Sequence, residues 1–531
     1  MLKQGSPSDL VLPGDAVKHG RVRPEEVPPP IPDKGIRETI TADVVVVGAG
    51  VAGLSAALSA SRAGAKTVVL EKGTTYMAHG LHNAAISSRL QRAAGIEIDK
   101  NQLIHTIMEF GAYRSDQRIV KLWADHCDEV MDWILDMAEV AQVEVVLDPT
   151  TKPWYFPNYP TAHVFMGGPQ ITLPKGAMRN AILAEMLLRN AQAAGVEFYF
   201  ETPAVRLLRE GNGPVTGVVA QTSRGDYLRF AARKGVVLCT GDYGNNPEMV
   251  KRYCDWRPSA SLGSIYEPRL NTGDGHRMAL WIGAALDDPP HCVMFFDFAV
   301  WGEFFNLARQ PWLYVNLRGE RFMNEDLPWG YECAQILQQP GRTAWAVWDA
   351  KYDREWPRMK SQCCKNMGAP TYLWNPSQLD DAIRKGNVLV AATIEELAAK
   401  MGVPVETFRA TVARYNELAR LGEDLDFGKH PDRLTSVEKP PFYAARMGSV
   451  YLVTLGGLKV NIRLQVLDAE GNAIPGLYAA GNVSGSFFGN VYPTTIPGLS
   501  HSRAWTFGRL AGLNAAGATE RGDTATGALR D

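Results

Sequence analysis

The chain has 531 residues, 46% of them hydrophobic, so it is long enough to bury a large core in two or three domains. Its formal net charge of -2 argues against nucleic acid or an anionic membrane surface as a partner, because such partners select basic patches. The seven cysteines form neither a CxxC nor a CxxCH motif, which excludes c-type haem attachment and argues against a zinc ribbon. We therefore expect no metal site, and we expect a reducing compartment.

The two ends of the chain differ in composition from its middle. Residues 1–40 are rich in proline and charge, which predicts an extended arm, and residues 517–531 are predicted to form a tail. The first residues lack the charged start and apolar core of a signal peptide, and nowhere do 18 apolar residues follow one another. These features predict a cytoplasmic protein without a membrane span.

The first regular elements are two strands around a helix. Val44–Val47 is a continuous β-branched run, typical of a strand that is buried on both faces of a parallel sheet. Leu54–Ala63 is rich in alanine and leucine and predicts a helix, and Thr67–Leu70 is a second short apolar strand. This order predicts the start of a nucleotide-binding unit.

A glycine-rich turn joins the first strand to the helix. Gly48, Gly50 and Gly53 have GxGxxG spacing: the first allows a tight turn, the second lets backbone approach a pyrophosphate, and the third lets the helix pack close to the strand. The helix N-terminus then binds the phosphates. Glu71 follows Gly53 by 18 residues, near the distance expected for an acid that binds a ribose hydroxyl. This stretch predicts a dinucleotide site and leaves NAD and FAD both open.

Further elements follow in chain order. The predicted helices span residues 101–111, 116–137, 175–195, 393–401, 405–421 and 499–515. The predicted strands span residues 197–202, 204–208, 215–221, 234–242, 312–316, 448–466 and 476–481. Residues 74–88 are predicted to form a small-residue loop, and residues 154–169 an aromatic, irregular segment that we expect to line a site.

The nucleotide-binding fold is predicted to be split by an insertion, because glycine-rich strands return after residue 448. We expect its first part at residues 41–285 and its second part at residues 448–516. Residues 286–447, which mix aromatic residues with short strands and helices, are predicted to form a capping domain that binds the substrate.

Seven motifs occur in one order along the chain. They are GAGVAG at 48–53, VVLCTGDYGNNPEM at 236–249, NTGDGHRMA at 271–279, GERFMNE at 319–325, TLGGLKVN at 454–461, GLYAAGN at 476–482 and TFGRLAG at 506–512. In this combination the chain resembles the fumarate reductase and succinate dehydrogenase flavoprotein family, which also contains 3-ketosteroid dehydrogenases and urocanate reductase. The resemblance covers about residues 42–516.

The resemblance implies an α/β (α+β) fold, in which a Rossmann-like FAD-binding domain is interrupted by an inserted α+β capping domain. It implies FAD rather than NAD as the cofactor. The implied reaction is hydride transfer between the flavin and a C–C or C=C bond next to an activating carbonyl. Because the sequence has no haem motif, a separate electron donor or acceptor is expected, and no oligomeric state is indicated.

Family contacts to FAD fall on matching positions of this chain. The residues implied to bind the cofactor are Gly48, Gly50, Val51, Ala52, Gly53, Glu71, Lys72, His82, Asn83, Ala84, Val205, Thr240, Gly241, Asp274, Gly481, Asn482, Leu499 and Ser500. Asn482 stands where many members have a glutamate, which keeps a polar side chain but removes a charge. Some relatives attach FAD covalently to a histidine in the loop that holds His82; covalent and non-covalent binding both stay open, and non-covalent binding is the prediction.

The residues with which fumarate reductases bind two carboxylates and protonate carbon are absent from the matching places. Residues 451–453 replace the histidine expected before the TxGG motif, and residues 326–331 replace the arginine expected after the RFxNE motif. Residues 492–498 replace an arginine expected before the last helix. An unpaired carboxylate in a dry pocket costs on the order of several kcal/mol, so we expect a substrate other than fumarate or succinate.

Aromatic residues stand in these places, which predicts a mostly apolar, aromatic or steroid-like substrate. Ketosteroid dehydrogenases use tyrosines as acid and base, so the candidate catalytic residues are Tyr492, Tyr331 and Tyr451. His501, in the flavin-facing turn, is a fourth candidate. Arg503 is open to two interpretations, as the partner of a substrate acid or as a member of an ion pair.

Three functions of different classes stay open. The preferred one is an FAD-dependent ene-reductase or dehydrogenase acting on CH–CH groups, with a 3-ketosteroid dehydrogenase as its nearest alternative. The second is a flavin-dependent oxidase or hydroxy-acid dehydrogenase. The third is a non-catalytic flavoprotein that binds a partner, and the complete set of FAD motifs argues against it.

Overall fold

The fold is that of a computed structural model, which describes residues 26–148, 155–172, 177–265, 267, 269–299, 307–359 and 376–518. Residues 1–25 of the predicted arm and residues 519–531 of the predicted tail lie outside the described residues. The same holds for Trp154, in the predicted aromatic segment, and for Lys175, at the predicted start of a helix.

The described elements are mixed helices and strands. The strands are β1 Ile36–Val47, β2 Thr67–Leu70, β3 His82–Ala84, β4 Glu144–Leu147, β5 Ala162–Gly167, β6 Glu197–Tyr199, β7 Ala204–Arg209, β8 Val215–Gln221, β9 Tyr227–Leu238, β10 Val293–Ala299, β11 Leu313–Val315, β12 Ala344–Asp349, β13 Val388–Ala391, β14 Phe442–Thr454, β15 Gln465–Leu467 and β16 Ala473–Ala479. The helices are α1 Val51–Arg62, α2 Arg89–Ala93, α3 Lys100–Phe110, α4 Gln117–Val140, α5 Asn180–Ala193, α6 Pro247–Tyr253, α7 Trp256–Ala260, α8 Asp274–Leu280, α9 Trp329–Leu337, α10 Tyr352–Met359, α11 Pro376–Arg384, α12 Ile394–Met401, α13 Val405–Leu421 and α14 Leu499–Ala516. Short 3-10 helices span Asp33–Gly35, Pro340–Arg342, Pro431–Arg433 and Gly481–Val483.

The largest sheet forms the core of the nucleotide-binding part. Its strands lie in the order β15-β16-β9-β1-β2-β6, with β8 paired to β9 and β7 paired to β8. Neighbours among β16, β9, β1, β2 and β6 are parallel, which requires crossover connections such as α1 between β1 and β2. The predicted strand Val44–Val47 is at most 4% exposed. The predicted α/β class is confirmed.

Strand β1 is longer than the sequence pattern predicts. It begins at Ile36, and its first half pairs in parallel with the first half of β9, from Tyr227 to Ala232. Most side chains of residues 36–41 are exposed, so the first half of β1 has no continuous apolar run that would indicate a strand. The predicted arm boundary at residue 40 therefore falls inside β1.

The last helix packs closely on the first. A Cβ atom on Gly508 would lie 2.3 Å from the carbonyl oxygen of Ala52, and one on Gly512 would lie 2.2 Å from that of Ala56. Both distances are far below van der Waals contact, so α14 can approach α1 only where it has no side chain. The two helices, one from each part of the nucleotide-binding fold, are thereby held together.

A second, antiparallel sheet forms the core of the inserted region. Its strands lie in the order β10-β14-β12-β11, and β13 pairs with β14 beside β12. Ala346 and Trp348 pack toward α10 and α11, whereas Val347 packs toward α12 and α13. The sheet therefore has helices on both faces.

Strand β14 crosses the predicted boundary of the insertion. The sequence predicts a strand over residues 448–466, but β14 runs over Phe442–Thr454, and its last residues pair with β10. The boundary predicted at residue 447 thus lies in the middle of one strand. The reason is that Gly448, at which the sequence pattern predicts the start of a strand, lies inside β14 and pairs with Phe298 of β10 instead of forming a turn.

A small sheet of order β3-β5-β4 packs near helix α14. Strand β3 lies in the segment that is predicted to be a loop, and β5 lies in the segment that is predicted to be irregular. Within the described ranges, no helix is long and apolar enough to cross a membrane. In the same ranges no cluster of three or more His, Cys, Asp or Glu side chains could bind a metal ion.

Candidate functional site

A cavity extends from the carboxyl ends of β1, β2 and β9 to strands β10 and β14 of the second sheet. Its volume is about 1730 Å³, which includes the part that is open to solvent. Ligands of open α/β sheets bind at this edge. The part lined by Gly48, Gly50, Glu71, Lys72 and Thr240 is called the nucleotide end below. The part lined by Met294, Phe296, Trp329, Leu452 and Val453 is called the apolar end.

Bare backbone forms the start of the nucleotide end. A Cβ atom on Gly48 would lie 2.3 Å from the carbonyl oxygen of Cys239, and one on Gly53 would lie 1.9 Å from that of Gly48. Gly50 is the N-cap of α1, and no side chain caps the helix there. The first amides of α1 are therefore available to an anion, which the helix dipole also attracts.

Two acids define the rest of the nucleotide end. The Glu71 carboxylate accepts hydrogen bonds from the backbone N–H of Ala49 and of Gly73, each at 2.7 Å. Lys72 Nζ donates to Asp274 Oδ2 at 2.9 Å and to Thr272 Oγ1 at 2.8 Å. A carboxylate has about four acceptor positions, so Glu71 can still accept from a ribose hydroxyl.

Thr240 follows strand β9 and also lines the nucleotide end. Its hydroxyl is buried and has no hydrogen-bond partner among the described residues. A buried hydroxyl without a partner costs about 1–3 kcal/mol, which a bound ligand can recover. The uncapped helix, the Glu71 carboxylate and this hydroxyl together fit a dinucleotide such as FAD.

Helix α14 begins at the far side of the cavity. Gly498 is its N-cap and, like Gly50, is not capped by a side chain. The backbone N–H of Ser500 donates to the Tyr492 hydroxyl at 3.1 Å. The Asn482 side-chain oxygen accepts from Arg503 Nη2 at 3.1 Å. Ser500, Tyr492 and Asn482 all line the cavity, which brings the predicted turn before the last helix to the site.

Three histidines stand along one wall. His79 and His501 line the cavity close to each other, and burial lowers the pKa of each to about 4, so both are neutral at pH 7. His82 lines it as well, and its Nε2 lies 2.6 Å from Asp148 Oδ2. This carboxylate orients the His82 ring, as in other His–carboxylate pairs.

The apolar end is made by side chains from three elements. Met294 and Phe296 come from β10, Leu452 and Val453 from β14, and Trp329 begins α9. The rings of Phe296 and Trp329 lie 4.1 Å apart, centroid to centroid. The indole Nε1 of Trp329 is buried and has no hydrogen-bond partner among the described residues. This end therefore offers aromatic contact together with one unused donor.

Arginine is absent from the cavity wall as far as the described residues define it. Arg503, a candidate for binding a substrate acid or for an ion pair, is fully buried and does not line the cavity. Its guanidinium donates to the carbonyl oxygens of Ser484 and Gly481 at 3.0 and 2.9 Å. Burial lowers its pKa to about 10, which still leaves it charged at pH 7.

Most of the predicted site residues line this cavity. Those that do are Gly48, Gly50, Val51, Ala52, Glu71, Lys72, His82, Thr240, Gly241, Asp274, Gly481, Asn482, Ser500, Tyr492 and His501. Those that do not are Gly53, Asn83, Ala84, Val205, Leu499, Tyr331 and Tyr451. The neighbours Pro203 and Ala204 line the wall where Val205 is expected.

The residues away from the wall have other contacts. Asn83 accepts from Trp505 Nε1 at 3.1 Å and donates to Asn180 Oδ1 at 2.7 Å. The Tyr451 hydroxyl donates to the carbonyl oxygen of Gly244 at 2.8 Å. Tyr331 stacks on Phe156, with ring centroids 5.6 Å apart. Tyr331 and Tyr451 therefore do not enter the proposal below.

The sequence patterns miss several lining residues. Asp242, Met294 and Phe296 are in the wall but carry no predicted role. For Asp242 a signal exists, since it directly follows the predicted contacts Thr240 and Gly241. For Met294 and Phe296 no signal exists, because only the pairing of β10 with β14 brings them to the cavity.

Comparison with known proteins gives a consistent family. Residues 43–495 match the family described as FAD binding domain. A vinyl phenol reductase from Lactiplantibacillus plantarum is 29% identical over 503 residues, which cover 89% of this chain and 96% of that protein. A 3-oxosteroid 1-dehydrogenase from Mycobacterium tuberculosis is 33% identical over 370 residues, 61% of each chain. The open conformation of a flavocytochrome c3 fumarate reductase has a TM-score of 0.68 and 26% identity, over 91% of this chain and 79% of that one.

Proposed function

The chain belongs to the FAD binding domain family and is an FAD-dependent oxidoreductase acting on CH–CH groups, and we propose that its substrate is a small aromatic alkene such as a vinyl phenol. The proposed reaction is reduction of the C=C bond. A relative that is similar to this chain over 96% of its own length is a vinyl phenol reductase, which supports this class of substrate.

The single observation that carries the proposal is the composition of the apolar end. Phe296, Trp329 and Met294 line it, and no arginine belongs to the described wall. The one lysine of the described cavity wall, Lys72, belongs to the nucleotide end and is paired with Asp274. A dicarboxylate would have to bury two charges without partners, at on the order of several kcal/mol each, whereas an aromatic ring gains free energy by leaving water for this surface.

FAD, when bound at the nucleotide end, supplies the hydride that the reduction needs. The chain must then position the alkene, exclude water and donate a proton to the neighbouring carbon. We assign the proton to the Tyr492 hydroxyl, which lines the cavity. The Ser500 N–H donates to this oxygen at 3.1 Å, which holds the hydroxyl in place and leaves its own proton available for donation.

We further propose that FAD is bound without a covalent bond to His82. The Nε2 atom of His82 already lies 2.6 Å from the Asp148 carboxylate, within hydrogen-bond distance. Precipitation of the protein with acid tests this: a yellow supernatant over a colourless pellet is expected, and a yellow pellet would refute it. Electrons are proposed to come from a separate carrier.

A 3-oxosteroid dehydrogenase activity is the second candidate. A 3-oxosteroid 1-dehydrogenase from Mycobacterium tuberculosis has the higher identity, 33%, although over a shorter stretch of 370 residues. A steroid is also mostly apolar, so the wall around Trp329 would accept its rings. This candidate predicts oxidation of the substrate with a dye as electron acceptor.

Product analysis separates the candidates. Three mixtures of the FAD-loaded protein are incubated without oxygen. The first contains reduced viologen and 4-vinylphenol, and the second contains reduced viologen and fumarate. The third contains an oxidised dye and androst-4-ene-3,17-dione. We expect 4-ethylphenol from the first mixture, and at most traces of product from the other two. Formation of succinate, or of the steroid 1,4-diene, as the main product would overturn the proposal. Rapid reoxidation of the reduced protein by oxygen would instead favour an oxidase.

A further inference from the structure

Three carboxylates line the cavity among the described residues, and two of them have partners that explain their presence. Glu71 accepts from two backbone amides, and Asp274 pairs with Lys72. The third is Asp242, which is 1% exposed and belongs to no ion pair in the described part of the chain. Burying a carboxylate without an ion-pair partner costs free energy, so the presence of Asp242 in the cavity wall calls for an explanation.

The two oxygens of Asp242 have different surroundings. Oδ1 accepts from the backbone N–H of Gly244 at 2.7 Å, and from the backbone N–H and the hydroxyl of Thr454 at 3.2 and 3.3 Å. Oδ2 is buried and has no hydrogen-bond partner among the described residues. The first oxygen thus fixes the side chain, and the second is a buried acceptor that no described residue uses, in a residue that lines the cavity.

The position of Asp242 favours the substrate over the nucleotide. Its partner Thr454 ends strand β14, directly after the apolar-end residue Val453. Val453 pairs across the sheet with Met294, another residue of that end. Asp242 therefore stands where the end of β9 meets the apolar end, rather than beside the phosphate-binding turn.

The apolar end also holds an unused donor, Nε1 of Trp329. A hydroxyl group both donates and accepts, so it is the group that can satisfy a free acceptor and a free donor. A phenol carries such a hydroxyl on an apolar ring. Resting on the proposed function, we propose that Asp242 determines specificity for a hydroxylated aromatic substrate, because its Oδ2 accepts a hydrogen bond from the phenolic hydroxyl.

Among the described residues, the titratable groups that face Asp242 supply no positive charge. They are Tyr243, Tyr451 and Cys254, and burial raises the pKa of each, so all three are neutral at pH 7. His276, which packs against the Tyr243 ring, has its pKa lowered by burial to about 3 and is neutral as well. Burial raises the pKa of Asp242 itself to about 7. A hydrogen bond from a phenolic hydroxyl to the ionised Asp242 carboxylate is charge-assisted. The affinity for a phenol should therefore rise with pH as Asp242 loses its proton.

The test compares two ligands that differ only in the hydroxyl, 4-ethylphenol and ethylbenzene. Their binding to the oxidised, FAD-loaded protein is followed by the change in the flavin absorption spectrum, which requires no turnover. For the unaltered protein we expect 4-ethylphenol to bind roughly 10- to 100-fold more tightly, the ratio for leaving a buried polar group unpaired. In D242L this preference should fall to within about threefold.

Two further variants keep the result interpretable. D242N retains an oxygen for Gly244 and Thr454, and it should bind 4-ethylphenol with an affinity that no longer depends on pH between 5.5 and 8.5. D287N is the control, since Asp287 is also a carboxylate with a pKa raised by burial but does not line the cavity. It should keep both the preference and the pH dependence.

The outcomes separate this inference from the proposed function. If neither ligand alters the spectrum, the aromatic substrate and the role of Asp242 fail together. If 4-ethylphenol is preferred and D242L and D242N keep that preference and its pH dependence, only the role of Asp242 is overturned. Equal losses for both ligands, together with weaker FAD binding, would place Asp242 against the cofactor and also overturn it.

Discussion

The two ends of the cavity are built in different ways. The nucleotide end is mostly backbone: Gly48, Gly50 and Gly53 surround the start of α1, and the nearby carboxylates already have partners. The apolar end is made of side chains such as Phe296 and Trp329, which come from strand β10 of the second sheet and from helix α9. The proposed cofactor site is thus built around a short motif, and the proposed substrate site from residues that meet only in the folded chain.

This contrast implies that the two ends can be disrupted separately. A change that blocks the backbone of the nucleotide end should remove FAD and destabilise the protein. A change at the substrate side should leave FAD bound and alter catalysis or ligand preference. The variants below are ordered from the largest expected effect to the smallest.

Gly53→Ala should have the largest effect. Its Cβ would lie 1.9 Å from the carbonyl oxygen of Gly48, which cannot move without opening the turn. We expect a loss of about 3 kcal/mol in the free energy of unfolding and loss of bound FAD. Both are measured on purified protein, by denaturant unfolding and by the flavin-to-protein absorbance ratio. Gly35→Ala is the matched control, because its Cβ would meet nothing closer than 4.0 Å. A Gly53→Ala protein that stays yellow and stable would show that this close backbone contact is not required.

Tyr492→Phe should separate catalysis from cofactor binding. It removes the hydroxyl to which we assign proton donation, and it leaves the ring against Phe488. We expect kcat to fall by roughly 10²- to 10⁴-fold with unchanged FAD content, as is typical for loss of a general acid. Tyr331→Phe is the control, since Tyr331 does not line the cavity. Equal activity of the two variants would exclude Tyr492 as the acid.

His501→Gln should alter the response to acid. The pKa of His501 is lowered to about 4 from an ordinary value of 6.5, so the unfolded chain binds a proton over that interval and the folded chain does not. Stability is therefore lost as pH falls from about 6.5 toward 4. His501 is partly exposed, so its share is at most about 2 kcal/mol at pH 5.

The measurement is the difference in unfolding free energy between pH 7 and pH 5, for the unaltered protein and for His501→Gln. The variant should lose less stability over this interval. Asp242 has the opposite sign, because its raised pKa makes stability fall as pH rises from about 4 to about 7. If the unfolding free energy of His501→Gln depended on pH in the same way as that of the unaltered protein, the loss of stability in acid would not come from protonation of His501.

Tyr451→Phe should have the smallest effect. Its hydroxyl donates to the carbonyl oxygen of Gly244 at 2.8 Å and does not line the cavity. We expect about 1 kcal/mol of lost stability, with kcat and FAD content close to those of the unaltered protein. A large fall in kcat would return Tyr451 to the catalytic candidates.

Local sequence patterns predict those helices and strands whose limits are marked by neighbouring residues. The strand Val44–Val47 and the helix Val405–Leu421 were both identifiable, the helix because Pro404 precedes it and Gly422 follows it. The extension of β1 back to Ile36 was not, because its exposed residues show no periodicity. The end of the second sheet was missed for a related reason, since β14 passes without a break through residue 447.

The site divides in the same way. The contacts at the nucleotide end lie within a few residues of a glycine motif, so most of them could be predicted. The role of Tyr451 could not, because its hydroxyl bonds to Gly244, 207 residues away. The free oxygen of Asp242 depends on Thr454, 212 residues away, in the same manner. The pairing of distant segments determines which side chains line the apolar end.

We propose that the apolar end of this FAD-binding fold accepts aromatic alkenes and rejects dicarboxylates. The most direct measurement is stopped-flow reoxidation of the chemically reduced, FAD-loaded protein in the absence of oxygen, with 4-vinylphenol or fumarate at equal concentration. We expect 4-vinylphenol to restore the yellow absorption band at least about 100-fold faster than fumarate, the factor expected for loss of one buried charge partner. Equal or faster reoxidation by fumarate would contradict it.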